Sequence, residues 1–238
     1  MILTPSDLQS WTRALTSQPR HHDGLMAWVT GPLREFFPFQ RVLLAHGAQV
    51  AGQIQITHWL ANGHDARYLQ QMDATFDLAN RGALHWWLTQ RQPFCIDTAW
   101  PSPFTTQFEL DEIRDFELGR VAGHGILNAT ASAGTYFSFA GIPKQLSDWH
   151  LDALTLIAPV LNDLFLSYVA AQQKDLTQLL AALTKRQTDI VRLVVNGLDD
   201  KSVACELAIA EKTVRNHLST IYSHLGVYKR AQLVALLR

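Results

Sequence analysis

The stretch EKTVRNHLSTIYSHLGV, residues 211–227, constrains the fold of this chain more than any other. At about 100° per residue on a helix, Val214, Leu218, Ile221 and Leu225 fall on one narrow apolar stripe, spaced i, i+4, i+7 and i+11. That stripe has to be buried. The opposite face carries Lys212, Arg215, Asn216, Ser219 and Ser223, with no acidic residue among them. The flanking residues supply the walls of a small helical core. Thr184 followed by Gln187 has the spacing of a capping box, Ile190, Leu193 and Val194 give the next helix an apolar face, and Gly197 offers a left-handed stop. Asp199 can cap a short helix with Val203, Ala204 and Leu207 turned inward, Gly226 closes the 211–225 helix, and YKRAQLVALLR makes a last amphipathic one. Four short helices with a tightly joined pair predict a helix-turn-helix unit, whose second helix lies in the DNA major groove.

Charge divides the chain at the same place. The 238 residues carry a formal net charge of −1, which by itself argues against an electrostatically driven nucleic-acid binder. From residue 181 onward, however, nine Lys or Arg face five Asp or Glu, while all seven Trp and all eleven Phe precede residue 181. Two segments of such different composition imply two domains with different partners. Cys95 and Cys205 form no CxxC or Cys/His cluster, so neither a disulfide framework nor a metal site is expected. The N-terminus lacks a signal-peptide pattern, and no apolar run is read as approaching the ~18–20 residues of a membrane span. The expected location is the cytoplasm, without membrane association.

On these residues the C-terminal segment resembles the LuxR/NarL/GerE-type DNA-binding domain. The match rests on the LT-x-R opening, the apolar run ending in NGL, Lys201, Ala204, Leu207, the core Lys212-Thr213-Val214-Arg215-x-His217, Ile221, Leu225-Gly226-Val227 and Arg230-Ala231. The resemblance implies that Arg215, Asn216 and Ser219 point at base edges, where Arg suits guanine and Asn suits adenine. It implies phosphate contacts for Lys201, Lys212, Thr213, Lys229 and Arg230. It also implies pairing of two such domains through Val234 and Leu237 on the last helix. His217 lies nearer the apolar edge, which favours a structural role. The chain departs from the family pattern at Ala210, where a capping Ser is usual, at Ala208, where a turn Gly is usual, and at Lys229, which replaces a small polar cap.

Residues 1 to about 170 read as mixed α and β. Helices are expected near 5–17 and 22–36, then a hairpin of FQRVLLAHG and GQIQITHWL with Gly47 and Gly52 bracketing its turn. A helix near 75–90, an extended PFCID, a short helix around 109–116, two strands and a long helix over 147–172 kinked at Pro159 complete the order. That order resembles a GAF- or PAS-like sensor module and, beside this DNA-binding unit, the sensor half of a LuxR-type quorum-sensing regulator. The residue set of the lactone-binding members cannot be laid on the chain. FFPFQRVLLAHG and RGALHWWLTQRQPFCID look more like the EpsA-type regulators found beside exopolysaccharide gene clusters. Trp59, Tyr68, Asp73, Trp86, Trp87 and His124 are the candidate effector-binding residues. The alternative reading makes these aromatics a fully packed core.

A phospho-receiver domain is excluded, because the first strand candidate ends in Ala45-His46-Gly47 rather than an acidic pair. An enzyme is not expected either, since Cys95, Asp97 and His85 make no nucleophile motif. The expected protein is α+β: an α/β sensor domain over 1–172, a helical linker over 173–182 and an all-α helix-turn-helix domain over 183–238. As a regulator it would bind double-stranded promoter DNA as a homodimer, without a cofactor. A small-molecule effector would act through the N-terminal domain; the alternative is a ligand-independent or protein-partner-controlled regulator whose N-terminal domain only dimerises.

Overall fold

The computed structural model describes residues 3–50, 53–70 and 78–237, and the chain divides into two compact units, Met1–Val169 and Ala170–Arg238. The first unit is built on a five-stranded antiparallel sheet of β1 (Arg41–Val50), β2 (Gln53–Asn62), β3 (Phe94–Ile96), β4 (Val121–Leu127) and β5 (Ala133–Ala140), in the order β2-β1-β5-β4-β3. Side chains on a strand alternate between faces, and here both faces are covered. Val42, Leu44, Ala122, Phe137 and Phe139 pack against α1 (Pro5–Thr16), α2 (Leu25–Trp28), α3 (Arg34–Phe36) and α7 (Asp148–Ala181). Leu43, Val121 and Ala140 face α4 (Ala66–Leu69), α5 (Gly82–Gln90) and α6 (Gln107–Asp115). Helices on both sides of a buried sheet leave two separate apolar layers.

Local chemistry sets the elements. Thr4 and Asp7 form a capping box at α1, and Thr106 and Glu109 form another at α6. Trp28 Nε1 donates to the Ala14 carbonyl at 2.8 Å, tying α2 to α1 through a buried hydrogen bond. Between α2 and α3 the helix widens to a π-turn over Val29–Leu33 around Pro32, which has no N–H to give. The long α7 runs through Pro159 without interruption. Its start is held by His150, whose Nδ1 accepts from Ser147 N at 3.2 Å.

Three sequence expectations are corrected here. Gly47 does not bracket the hairpin turn; it lies inside β1 at a bulge, where the register jumps from His46↔His58 to Gly47↔Ile56. The extra residue is Thr57, whose Oγ1 donates to the His46 carbonyl at 3.1 Å, and Gly52 falls outside the described residues. The helix expected from residue 75 is, in the described part, a 3₁₀ turn at Leu78–Asn80 followed by α5. A Cβ at Gly82 would lie 1.9 Å from the Phe104 carbonyl oxygen, so only glycine lets α5 start against that loop. Finally, α7 is long and apolar enough to cross a membrane by length and composition, contrary to the expectation that no such stretch exists. Its apolar face, from Ala153 and Leu154 through Ile157, Leu161 and Phe165 to Val169, is buried in the core of the first unit.

The second unit contains the C-terminal part of α7 and four helices, α8 (Lys185–Val195), α9 (Asp200–Glu206), α10 (Glu211–Leu225) and α11 (Arg230–Leu237). They enclose a core of Ile190, Val194, Val203, Val214, Leu218, Ile221, Leu225 and Leu233. The Thr184–Gln187 capping box opens α8, and Asp199 caps α9 by accepting from Ser202 N at 2.8 Å. By contrast Ala210 gives α10 no side-chain cap, and Ala208 sits in the left-handed region at φ 50° in the α9–α10 turn. A Cβ in that region costs about 1 kcal/mol or more, and a missing Ser cap costs about 0.5–2 kcal/mol. Ala208→Gly and Ala210→Ser should therefore each raise the melting temperature of this unit, measured by calorimetry on the full chain.

Candidate functional site

The exposed face of α10 is the first candidate. Because its apolar stripe is consumed by the core, Lys212, Thr213, Arg215, Asn216 and Ser219 are all left exposed on that helix. Lys201 on α9 and Lys229 before α11 are exposed as well. His217 is partly buried, in line with its expected place near the apolar edge, and Tyr222 packs its ring on the core. Of the eight residues expected at DNA, Arg230 differs. Its guanidinium is turned inward, donating to the Leu198 carbonyl and, through Nη1 at 2.7 Å, to Asp200 Oδ1. Donors spent on the α8–α9 turn pin α11 to it and are not presented to a phosphate. Val234 and Leu237 are likewise partly buried against the unit's own core, whereas Leu236 is exposed.

Two acidic residues border this surface. Glu211 and Arg215 pair along α10, and Arg215 Nε lies 4.0 Å from Asp200 Oδ2. Holding two carboxylates beside it raises the Arg215 guanidinium above its ordinary value.

The second candidate is a cavity of about 140 Å³ in the first unit, between the sheet and α4, α5 and α6. Its walls are apolar, with Leu43, Ile54, Ile56, Leu88 and Ile113 among them. A Cβ at Gly125 would lie 2.0 Å from the Thr135 carbonyl oxygen and 2.7 Å from Trp87 Cζ2, so a bare glycine is needed for Trp87 to reach the sheet. Polar groups gather on one part of the wall. Arg81 makes a two-pronged pair with Glu112, at 2.5 Å and 2.8 Å. Glu109 accepts from Ala83 N at 3.0 Å and from Thr106 N at 2.9 Å, joining the starts of α5 and α6. His64 stacks on Tyr68 with ring centroids 4.6 Å apart, and neither of its buried nitrogens has a hydrogen-bond partner among the described residues. Burial drives its pKa down to about 4, so the ring is neutral at pH 7. Burial likewise raises the Tyr68 and Tyr136 hydroxyls.

Of the aromatics expected at an effector site, Tyr68 and Trp87 line this cavity. Trp59 packs at the edge of the same layer, and Trp86 faces away to stack on Phe104 at 4.9 Å. His124 is on the wrong face of β4: strand alternation sends Val121 and Leu127 to the cavity and places His124 with Ala122 and Ile126 on the α7 side. Asp73 lies outside the described residues. The residues that the sequence did not single out are His64, Arg81, Glu109, Glu112, Tyr136 and Ser138. The alternation of Tyr136, Ser138 and Ala140 along β5 is the one available signal; Arg81 and Glu112 are far apart in sequence and meet only in the fold. Burial pushes the Cys95 thiol up to about 12, which disfavours its thiolate, and Asp97 is engaged by Arg120 at 2.9 Å.

His124 gives a measurable consequence. It is buried, its Nδ1 has no hydrogen-bond partner among the described residues, and burial lowers its pKa from 6.5 to about 4. A depressed pKa means that the unfolded chain binds the proton first. Its contribution is therefore complete above about pH 6.5 and is lost as the pH falls toward about 4. The full shift corresponds to something on the order of 3 kcal/mol. Denaturant unfolding followed in the first unit at pH 7 and pH 4.5 should show His124→Gln losing less stability on acidification than the unaltered protein; equal losses would assign the acid sensitivity elsewhere.

Comparison with known proteins concerns mainly the second unit. The luxR family model of bacterial regulatory proteins, GerE, matches residues 181–237. The spore germination protein GerE of Bacillus subtilis is 49% identical over 52 residues, which are 22% of this chain and 70% of that protein. An HTH-type transcriptional regulator of Mycobacterium bovis is 43% identical over 53 residues, 22% of this chain, which spans only 6% of that regulator's length. Among solved structures, Escherichia coli SdiA is 13% identical with a TM-score of 0.44, over 97% of this chain and 94% of that one.

Proposed function

The chain belongs to the luxR family of bacterial regulatory proteins, and from that premise we propose that it binds promoter DNA as a homodimer under the control of a small molecule held in the cavity of its first unit. DNA binding and transcription regulation come with the family. The finer assignment is that Arg215, Asn216 and Ser219 read base edges while Lys201, Lys212, Thr213 and Lys229 contact phosphates. Arg230 acts instead as the clamp that keeps α11 in place. The exposed basic and hydroxyl face of α10 supports this reading, because the core consumes the opposite face and leaves these side chains in solvent. A single recognition helix covers only a half-site, so a palindrome about 34 Å from groove to groove calls for two copies. Leu236 on α11 and Leu166 on α7 are exposed apolar positions suited to the pairing of copies.

The observation that carries ligand control is the cavity itself, an apolar space with polar groups concentrated on part of its wall. Arg81 and Glu112 are already paired in that wall, and His64 is neutral. This favours an uncharged, mainly apolar ligand carrying a small polar group, because a charged one would have to break that pair. The ligand would shift the population of dimers able to seat both recognition helices. Trp100, 81% exposed, favours a second reading in which a protein partner controls the regulator and the first unit only dimerises.

Two measurements separate these elements. In binding titrations on a selected operator, Arg215→Ala should relax preference at one base position and cost about 1–3 kcal/mol, whereas Lys201→Ala should weaken all sequences alike and lower the salt slope by about one. Native mass spectrometry of the full chain should show a dimer of the 26.7 kDa subunit with a small-molecule adduct, absent from a folded Ala45→Phe variant whose cavity is filled. An adduct-free dimer that no added ligand stabilises would favour the partner-controlled reading.

A further inference from the structure

A line of charged groups crosses the first turns of three helices in the second unit. Glu211 pairs with Arg215 on α10; Arg215 Nε lies 4.0 Å from Asp200 Oδ2 on α9; Asp200 Oδ1 accepts from Arg230 Nη1 at 2.7 Å; and Arg230 Nη2 donates to the Leu198 carbonyl. The two ends differ in setting. Arg230 and Asp200 are largely covered, with side-chain exposures of 33% and 29%, and act as a fixed anchor. Arg215 and Glu211 stand out in solvent at 63% and 43%. An exposed pair of this kind adds little to folding stability. Its position, on the face that family membership assigns to DNA, makes it matter for binding.

We propose that Glu211, supported by Asp200, is a positioning residue that makes Arg215 selective for its base. Two carboxylates beside one guanidinium do two things. They restrict where the long Arg215 side chain points, and the Glu211 and Asp200 contacts through Nη2 and Nε leave the Nη1 hydrogens and the second Nη2 hydrogen for the two acceptors of a guanine edge. They also neutralise Arg215 locally, so that it contributes less to phosphate attraction, which supplies essentially all of non-specific binding. Glu211 itself is repelled by a phosphate brought near it. Non-specific docking is thus penalised, while the specific complex keeps the bidentate base contact, and discrimination is the difference between the two. This role rests on the reading of α10 as the recognition helix. It is separate from the favourable placement of an acidic residue at a helix start, which would act on folding alone.

The test is selection of duplexes from a random pool by the full-length protein, followed by titrations on the selected and on a random duplex over a range of salt. Glu211→Gln keeps the side chain's shape and removes its charge. It is expected to bind the random duplex several-fold tighter, with a salt slope steeper by about one, and to lose about tenfold in discrimination at the base position read by Arg215. Glu211→Asp should retain most of the discrimination. In an Arg215→Ala background Glu211→Gln should no longer alter base preference. If Glu211→Gln weakens selected and random duplexes by the same factor with an unchanged preference profile, the residue serves the helix alone and the proposal is overturned. A change in preference that persists without Arg215 also overturns it, since Glu211 would then touch DNA directly. Should the unaltered protein enrich no motif at all, the reading of α10 beneath it falls first.

Discussion

The second unit depends on the complete burial of one apolar stripe, Val214, Leu218, Ile221 and Leu225, on α10. A fifteen-residue helix is marginal in water by itself, so α8, α9 and α11 have to close round that stripe. Closing round one side leaves the other uncovered. The basic face is therefore a consequence of the packing, and each of its side chains is aimed by a backbone that the core holds still. The Thr184–Gln187 capping box, the αL glycine at Gly226 and the Arg230 clamp on Leu198 all hold helix ends at the angles this core requires.

In the first unit the governing constraint is a sheet buried on both faces. On one side the α1–α3 and α7 layer is a filled aromatic and aliphatic core, with Phe37 against Phe139 at 5.1 Å and Phe137 against Phe165 at 6.4 Å. On the other side, α5 and α6 share an apolar cluster with Trp87 and Ile113 and are also tied by polar groups, Glu109 at both helix starts and Arg81 with Glu112. Buried polar groups whose hydrogen bonds are satisfied fix the positions of the elements they join. The candidate aromatics Trp59, Tyr68, Trp86 and Trp87 all belong to the layer beside the cavity, where Tyr68 and Trp87 line it.

Much of the candidate DNA surface is legible in the amino-acid order. A helix with a 3.6-residue period assigns inside and outside by arithmetic, and Lys212, Arg215, Asn216 and Ser219 stand on the exposed face as that arithmetic requires. Arg230 escapes it, because a positive charge near a DNA-binding helix reads as a phosphate contact, whereas the carbonyl and carboxylate that capture it come from a turn about thirty residues earlier. Val234 and Leu237 read as outward for a similar reason, the last helix being short and apolar on most of its circumference. The cavity is the least legible part. Chemical type groups Trp59, Trp86 and His124 with Tyr68 and Trp87, and only the strand or helix face that each residue occupies separates them.

Local periodicity, caps and composition act over short spans of chain, and for that reason the two-part organisation, the four-helix unit and the outward face of α10 can all be read from the order of the residues. Which polar residues meet is a different matter, settled by the fold. The Arg81–Glu112 pair, the tie of Glu109 to α5, the space beside Trp87 and the reach of Asp200 to Arg215 and Arg230 join residues whose separation in sequence carries no pattern. Only packing brings such groups within hydrogen-bonding distance, and only there does burial make a carboxylate or an imidazole differ from the same residue in solvent.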